Sequence, residues 1–183
     1  MRKYIFKIVL CCVLFLLAIV IGWRFITGER AIHKAVYKGN LEKVKKIIEK
    51  NPEQINVRDM LGSTPLYYAC SQGHPEIVAF LLDHGANIEL GNSLGERPLA
   101  KAAKFNHYSI VKTLLEHGAM VNCKDRFCIT PLHEAALWSG EDVTDILLAY
   151  GADVYARNEN NNTPLHIAAI HNNLQAAKAL IEH

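Results

Sequence analysis

The chain has 183 residues, half of them hydrophobic, with a formal net charge of +2 and five cysteines. A charge so close to zero excludes the general electrostatic attraction to nucleic acid that strongly basic proteins show. The cysteines have no C-x-x-C spacing, so the sequence gives no structural zinc site. The length suits one domain with an appended segment.

An uncharged apolar run lies near the N-terminus, from Ile8 to Trp23. It is slightly shorter than the roughly 20 residues of an average membrane-spanning helix. We expect residues 8–23 to cross a membrane as one helix, within a segment 1–28 that also holds a cytoplasmic tail and a short linker. A cleaved signal peptide is the alternative, but its best cleavage site, after residues 20–22, contains only one small residue and is followed by Trp23.

Lysines and arginines flank this run on both sides, so their number does not set its orientation. A short basic tail rarely crosses a membrane, whereas a long following domain crosses largely regardless of its charge. We therefore expect a single-pass protein whose residues 29–183 lie outside the cytoplasm, which in a bacterium means the periplasm. The alternative keeps this domain in the cytosol.

A phrase of seven residues, T-P-L-H-E-A-A from Thr130, recurs through the rest of the chain. Related phrases begin at Thr64, Arg97 and Thr163, so the step from 64 to 97, 130 and 163 is 33 each time. Threonine caps a helix N-terminus well, and proline suits the first helical position. Self-similarity at a fixed period of this length predicts a stacked array of repeats.

Residues that favour left-handed backbone stand where each first helix must end, nine residues after the phrase begins. They are Gly39, Gly73, Asn106 and Asn172. Glycine followed by alanine then ends the second helices, at Gly85 and Gly118. Each unit is therefore predicted to be two short antiparallel helices and a turn.

The phrase T-P-L-H-x-A, followed by Leu-Leu and Gly-Ala-Asp, resembles the ankyrin repeat over residues 29–183. The resemblance implies an all-α fold, an ankyrin-repeat solenoid of about five helix-turn-helix repeats with short hairpin tips, preceded by the transmembrane helix. The repeats fall near residues 29–61, 62–94, 95–127, 128–160 and 161–183. It also implies that His33, His133 and His166 bond neighbouring turns and do not bind metal.

The first and last repeats depart from the pattern. In the first, Lys43, Lys45, Lys46 and Lys50 give the second helix a basic surface, either as a polar cap or as a contact for anionic lipid headgroups. The last repeat has alanines in its second helix where earlier repeats have larger residues, so we expect this end to fray first.

By resemblance, such arrays bind partner proteins through the hairpin tips and the exposed ends of the first helices. These positions should be polar, but many are apolar here, and a contiguous exposed apolar patch is typical of an interaction site. The predicted partner-binding residues are Met60, Leu61, Leu94, Lys104, Phe105, Arg126, Phe127, Ile129, Leu137 and Trp138. The alternative is that some of them pack between neighbouring tips and stiffen the array.

No catalytic set is evident, because the serines lack a nucleophile motif and no glycine-rich phosphate loop is present. The sequence predicts a membrane-anchored protein-interaction module, not an enzyme, with no cofactor, nucleic acid or small-molecule substrate. The alternative is a bacterial periplasmic accessory factor that supports an envelope or antioxidant enzyme.

Cys123 and Cys128 flank one tip and are expected to be free thiols, with a disulfide as the alternative in a periplasmic domain.

Overall fold

The structure, a computed structural model, describes residues 31–138 and 140–183. The predicted transmembrane segment, residues 8–23, lies outside the described residues. Within the described ranges, no helix combines the length and the apolar character needed to cross a membrane.

Ten α-helices and no strand make up the part of the chain that the structure describes. The helices are α1 (residues 31–37), α2 (Leu41–Lys50), α3 (Pro65–Gln72), α4 (Pro75–Asp83), α5 (Pro98–Lys104), α6 (Tyr108–Glu116), α7 (Pro131–Trp138), α8 (Glu141–Ala149), α9 (Pro164–Ile170) and α10 (Leu174–Glu182). The first helices α3, α5, α7 and α9 stack on one another in chain order, and so do the second helices α2, α4, α6, α8 and α10. The predicted all-α array of five two-helix repeats is therefore confirmed.

The predicted threonine caps and turn residues are present where the first helices begin and end. The Thr64 hydroxyl accepts a hydrogen bond from the Tyr67 backbone N–H at 3.2 Å, and Thr163 caps α9 in the same way. Arg97 makes no such cap on α5, and it forms an ion pair with Glu89 instead. The four predicted turn residues all have left-handed backbone, with φ between 56° and 73°.

The hairpin tips precede the first helices and are closed by an aspartate or asparagine. At Asp125, for example, the carboxylate accepts hydrogen bonds from the backbone N–H groups of Phe127 and Ile129, at 2.9 and 2.8 Å. The equivalent residues are Asp59, Asn92 and Asn158, and each accepts the same pair of bonds. Four successive tips thus have one backbone geometry, and their side chains stand in equivalent positions.

The two terminal repeats differ from the inner three. The first step along the array is one residue longer, and a 3-10 helix at Pro52–Asn56 accommodates the extra residue. In the last repeat, large apolar side chains are exposed on both helices. They are Leu165, Ile170, Leu174 and Ile181.

Candidate protein-interaction surface

Six of the ten predicted binding residues are large, apolar and exposed in the structure. They are Met60, Leu61, Leu94, Phe105, Phe127 and Trp138. Arg126 is exposed beside them, and Lys104 is half-buried. Ile129 and Leu137 are half-buried as well. Ile129 closes its tip through backbone bonds with Asp125, and Leu137 lies on α7, which packs between α5 and α9.

Backbone hydrogen bonds hold neighbouring tips in register. The Leu61 carbonyl accepts a bond from the Ser93 N–H at 2.9 Å, and the Leu94 carbonyl accepts one from the Arg126 N–H at 3.0 Å. The Phe127 carbonyl accepts the next, from Glu159, at 3.1 Å. Because the bonds recur at one position, Leu61, Leu94 and Phe127 form a row across three repeats. We call this row the apolar ridge.

The second apolar group stands at the ends of the first helices. Phe105 and Trp138 occupy equivalent positions after α5 and at the end of α7, and both are about half exposed. The Lys104 ammonium lies 5.9 Å from the Trp138 ring centroid, within the range of a cation–π interaction. The same ammonium lies 3.5 Å from the Glu134 carboxylate. Lys104 therefore contacts both the Trp138 ring and the Glu134 carboxylate.

A polar cluster that was not predicted from the sequence links the second tip to the helices. Its centre is Glu96, whose carboxylate accepts hydrogen bonds from the Tyr67 hydroxyl at 2.8 Å and from the Asn92 amide at 2.6 Å. The Lys101 ammonium lies 3.4 Å from the same carboxylate and 5.7 Å from the Phe105 ring. One sequence feature indicated this cluster, since Tyr67 and Ala100 replace histidine in two successive phrases.

Tyr67 takes over the role that histidine has in the other repeats. His133 bonds the Asn162 carbonyl of the next repeat at 3.0 Å, 29 residues on, and Tyr67 reaches Glu96 over the same separation. His33 bonds the Ser63 carbonyl at 3.1 Å. These contacts agree with the structural role expected for the phrase histidines.

The pKa values of two carboxylates in this region are shifted in opposite directions. Burial acts to raise the pKa of Glu96, but the Tyr67 hydroxyl and the Lys101 charge outweigh it and hold that pKa below its usual range. Burial raises the pKa of Glu134, and Lys104 opposes this only in part. One Glu134 carboxylate oxygen is buried and has no hydrogen-bond partner. Glu134 is thus a costly buried charge one turn before the exposed Trp138 on α7.

Cys70, Cys123 and Cys128 are free thiols in the structure. Cys123 is buried, whereas Cys128 is half-buried in the third tip. Burial raises the pKa of Cys123 to about 12, so its reactive thiolate is scarce near neutral pH. Within residues 31–138 and 140–183, no group of three or more His, Cys, Asp or Glu residues could hold a metal ion.

Comparison with known proteins assigns the family. A family model described as ankyrin repeats (3 copies) matches residues 32–125, and one described as ankyrin repeats (many copies) matches residues 134–181. The chain belongs to the ankyrin-repeat family. The apolar ridge therefore lies on the tips of ankyrin repeats, and Phe105 and Trp138 lie at the ends of their first helices.

Curated relatives match only part of this ankyrin array. Protein phosphatase 1 regulatory subunit 27 of Mus musculus is 42% identical over 66 residues, which are 36% of this chain and 42% of the relative. The Homo sapiens protein of that name matches to the same extent. The BCL-6 corepressor-like protein 1 of Homo sapiens is 39% identical over 61 residues, 33% of this chain and 3% of that protein. The chain thus spans less than half the length of these relatives.

Proposed function

We propose that the protein is a non-catalytic ankyrin-repeat module that binds a partner protein through the second to fourth repeats. One observation carries the proposal: six large apolar side chains are exposed at the tips and helix ends of successive repeats. An exposed apolar surface of this extent is unfavourable in water unless another molecule covers it. The absence of a catalytic set in the sequence agrees with a binding role.

The surface has the composition of a protein interface. Trp138 and Phe127 are 59% and 50% exposed, so each has a large area left to bury on binding. Aromatic residues of this kind commonly carry most of the binding free energy, while the charged residues around them set specificity. Arg126 and Lys104 would form that charged rim here.

The names of the mouse and human relatives suggest one partner class to test first. Both are called regulatory subunits of a protein phosphatase, so a phosphatase catalytic subunit is a candidate partner. No observation favours the periplasmic accessory factor over a general binding module.

The test compares two pairs of substitutions in partner capture by cross-linking and mass spectrometry. We expect Trp138→Ala and Phe127→Ala each to weaken binding by about 30-fold, the effect of losing an interface hot spot. Tyr155→Ala and Tyr150→Ala are the matched controls, because these exposed aromatic residues lie outside the ridge and the helix ends. Equal capture of a partner by all four variants and the unaltered protein would refute the proposed surface.

We also infer that residues 8–23 attach the array to a membrane and that the repeats lie outside the cytoplasm. The uncharged run in the sequence supports the attachment, and the short basic tail supports the orientation. Resistance to alkaline carbonate extraction tests the first part. Reporters active only on one side of the membrane, fused after His183, test the second, and a cytosolic reporter that stays active would reverse the orientation.

A further inference from the structure

The structure shows which side of each second helix faces the N-terminal end of the array. Lys43 is exposed in the first repeat, but its counterparts in the other repeats are buried. They are Ile77, Ile110, Val143 and Ala176. The reverse holds for Ile48, which is 4% exposed in the first repeat, while its counterpart Ile181 in the last is 70% exposed. Lys43 therefore points away from the second repeat, toward the N-terminal end of the described array.

Lys46 lies on the same side of α2, one turn after Lys43. It is exposed, whereas its counterparts Phe80, Thr113, Ile146 and Ala179 are half-buried or buried. Lys50 follows one further turn on, at the margin of this helical stripe and at a position that is exposed in every repeat. We call Lys43, Lys46 and Lys50 the basic end face.

The acidic side chains of α2 lie beside this face, because Glu42 and Glu49 stand four residues before and three residues after Lys46. Both occupy positions whose residues are exposed in every repeat, so they point outward into solvent. Glu42 pairs with Lys45 at 3.3 Å. Among the described residues, no ion pair involves Lys43, Lys46 or Lys50.

A fourth cation extends the basic end face onto the first helix of this repeat. Lys34 of α1 is exposed, whereas the residues at its position in the other repeats are half-buried or buried. Both helices of the first repeat therefore present exposed lysines toward the N-terminal end.

The preceding sequence places a membrane near this end. Residues 24–30 are all that separate the apolar run 8–23 from the start of α1. Seven fully extended residues span at most about 25 Å. If residues 8–23 cross a bilayer, the start of α1 lies within about 25 Å of the membrane surface.

We propose that the basic end face lies against an anionic lipid surface and holds the array upright on the membrane. This inference rests on the proposed membrane attachment. Each lysine near an anionic surface raises the equilibrium constant for contact about fivefold, so three lysines together raise it about a hundredfold. The array then extends away from the bilayer, and the apolar ridge stays accessible to a partner from the side.

The experiment uses the full chain in nanodiscs of phosphatidylcholine alone or of phosphatidylcholine with phosphatidylserine. A water-soluble acetylating reagent labels the lysines, and peptide mass spectrometry gives the rate at each one. We expect Lys43, Lys46 and Lys50 to react at least about threefold more slowly on the anionic discs, with recovery at high salt because salt screens the attraction. Lys112 and Lys124, exposed on later repeats, should react equally on both.

A charge-reversal variant separates lipid contact from local shielding. One variant carries Lys43→Glu, Lys46→Glu and Lys50→Glu together. On anionic discs, Lys34 of this variant should be acetylated at the rate seen on neutral discs. The matched variant with Lys112→Glu, Lys124→Glu and Lys178→Glu changes the net charge equally and should leave Lys34 protected. Equal labelling of the three lysines on neutral and anionic discs would overturn the inference while leaving attachment intact. Failure of the chain to co-purify with neutral discs would instead overturn the attachment itself.

Discussion

Replacing Lys104 by methionine tests how much the ion pair between Lys104 and Glu134 contributes to stability. The substitution keeps the aliphatic length of the side chain but removes the cation 3.5 Å from Glu134. Glu134 is 9% exposed, and one of its oxygens already has no partner. Lys104→Met therefore leaves a buried carboxylate with no counter-charge in contact.

The expected loss of stability is about 1–2 kcal/mol near neutral pH. Breaking a fully buried ion pair from one side costs roughly 3–5 kcal/mol. The value is smaller here because the Lys104 side chain is 28% exposed and water screens the pair.

The loss should depend on pH in one direction only. Burial raises the pKa of Glu134 in the folded protein, and removing Lys104 raises it further. A raised pKa means that the folded state favours the protonated acid, so the penalty is present above the folded pKa. It disappears as the pH falls below the unfolded value of about 4.3.

Urea unfolding followed by circular dichroism between pH 4 and pH 8 measures this effect. In a Glu134→Gln background the same lysine substitution should cost less than about 0.5 kcal/mol, because no buried charge remains to be stranded. A loss that is equal at pH 4 and pH 8, or equal in both backgrounds, would refute the electrostatic explanation.

Three further predictions follow from the repeats. Cys128 has φ of 57° where two other tips have glycine, so Cys128→Gly should stabilise the fold by about 0.5–1 kcal/mol in thermal unfolding, and Cys128→Ala should not. His133→Ala should cost about 2 kcal/mol, since Thr130 and the Asn162 carbonyl lose their partner. Burial lowers the pKa of His133, so stability should fall as the pH drops through about 6.5, and the variant should lose that part of the slope. Hydrogen exchange should be faster in α9 and α10 than in α5 to α8, because alanines leave less area to bury; equal rates would contradict this.

The repeats could be predicted from the sequence because each depends on local chemistry that recurs every 33 residues. Thr64 and Thr163 cap helices, and Gly73 and Asn106 take left-handed backbone, for reasons contained within a few residues. The left-handed backbone of Cys128 could also have been predicted, since Cys128 stands 33 residues after Gly95 at a position that needs positive φ.

The polar cluster could not be predicted in the same way. Lys104 and Glu134 come from different repeats, as do Tyr67 and Glu96, and their side chains meet only after the helices stack. Which apolar residues stay exposed likewise depends on packing between repeats, as the half-buried Leu137 shows next to the exposed Trp138.

The unlike ends of the array also bear on self-assembly. Repeat arrays with matching ends can stack head to tail into open filaments, because such contacts do not close. Here the leading end presents Lys43 and Lys46, and the trailing end presents Leu165 and Ile181. Stacking one copy on another would bury ammonium groups against aliphatic side chains with no counter-charge, which is strongly unfavourable. Head-to-tail stacking of the described repeats is therefore disfavoured.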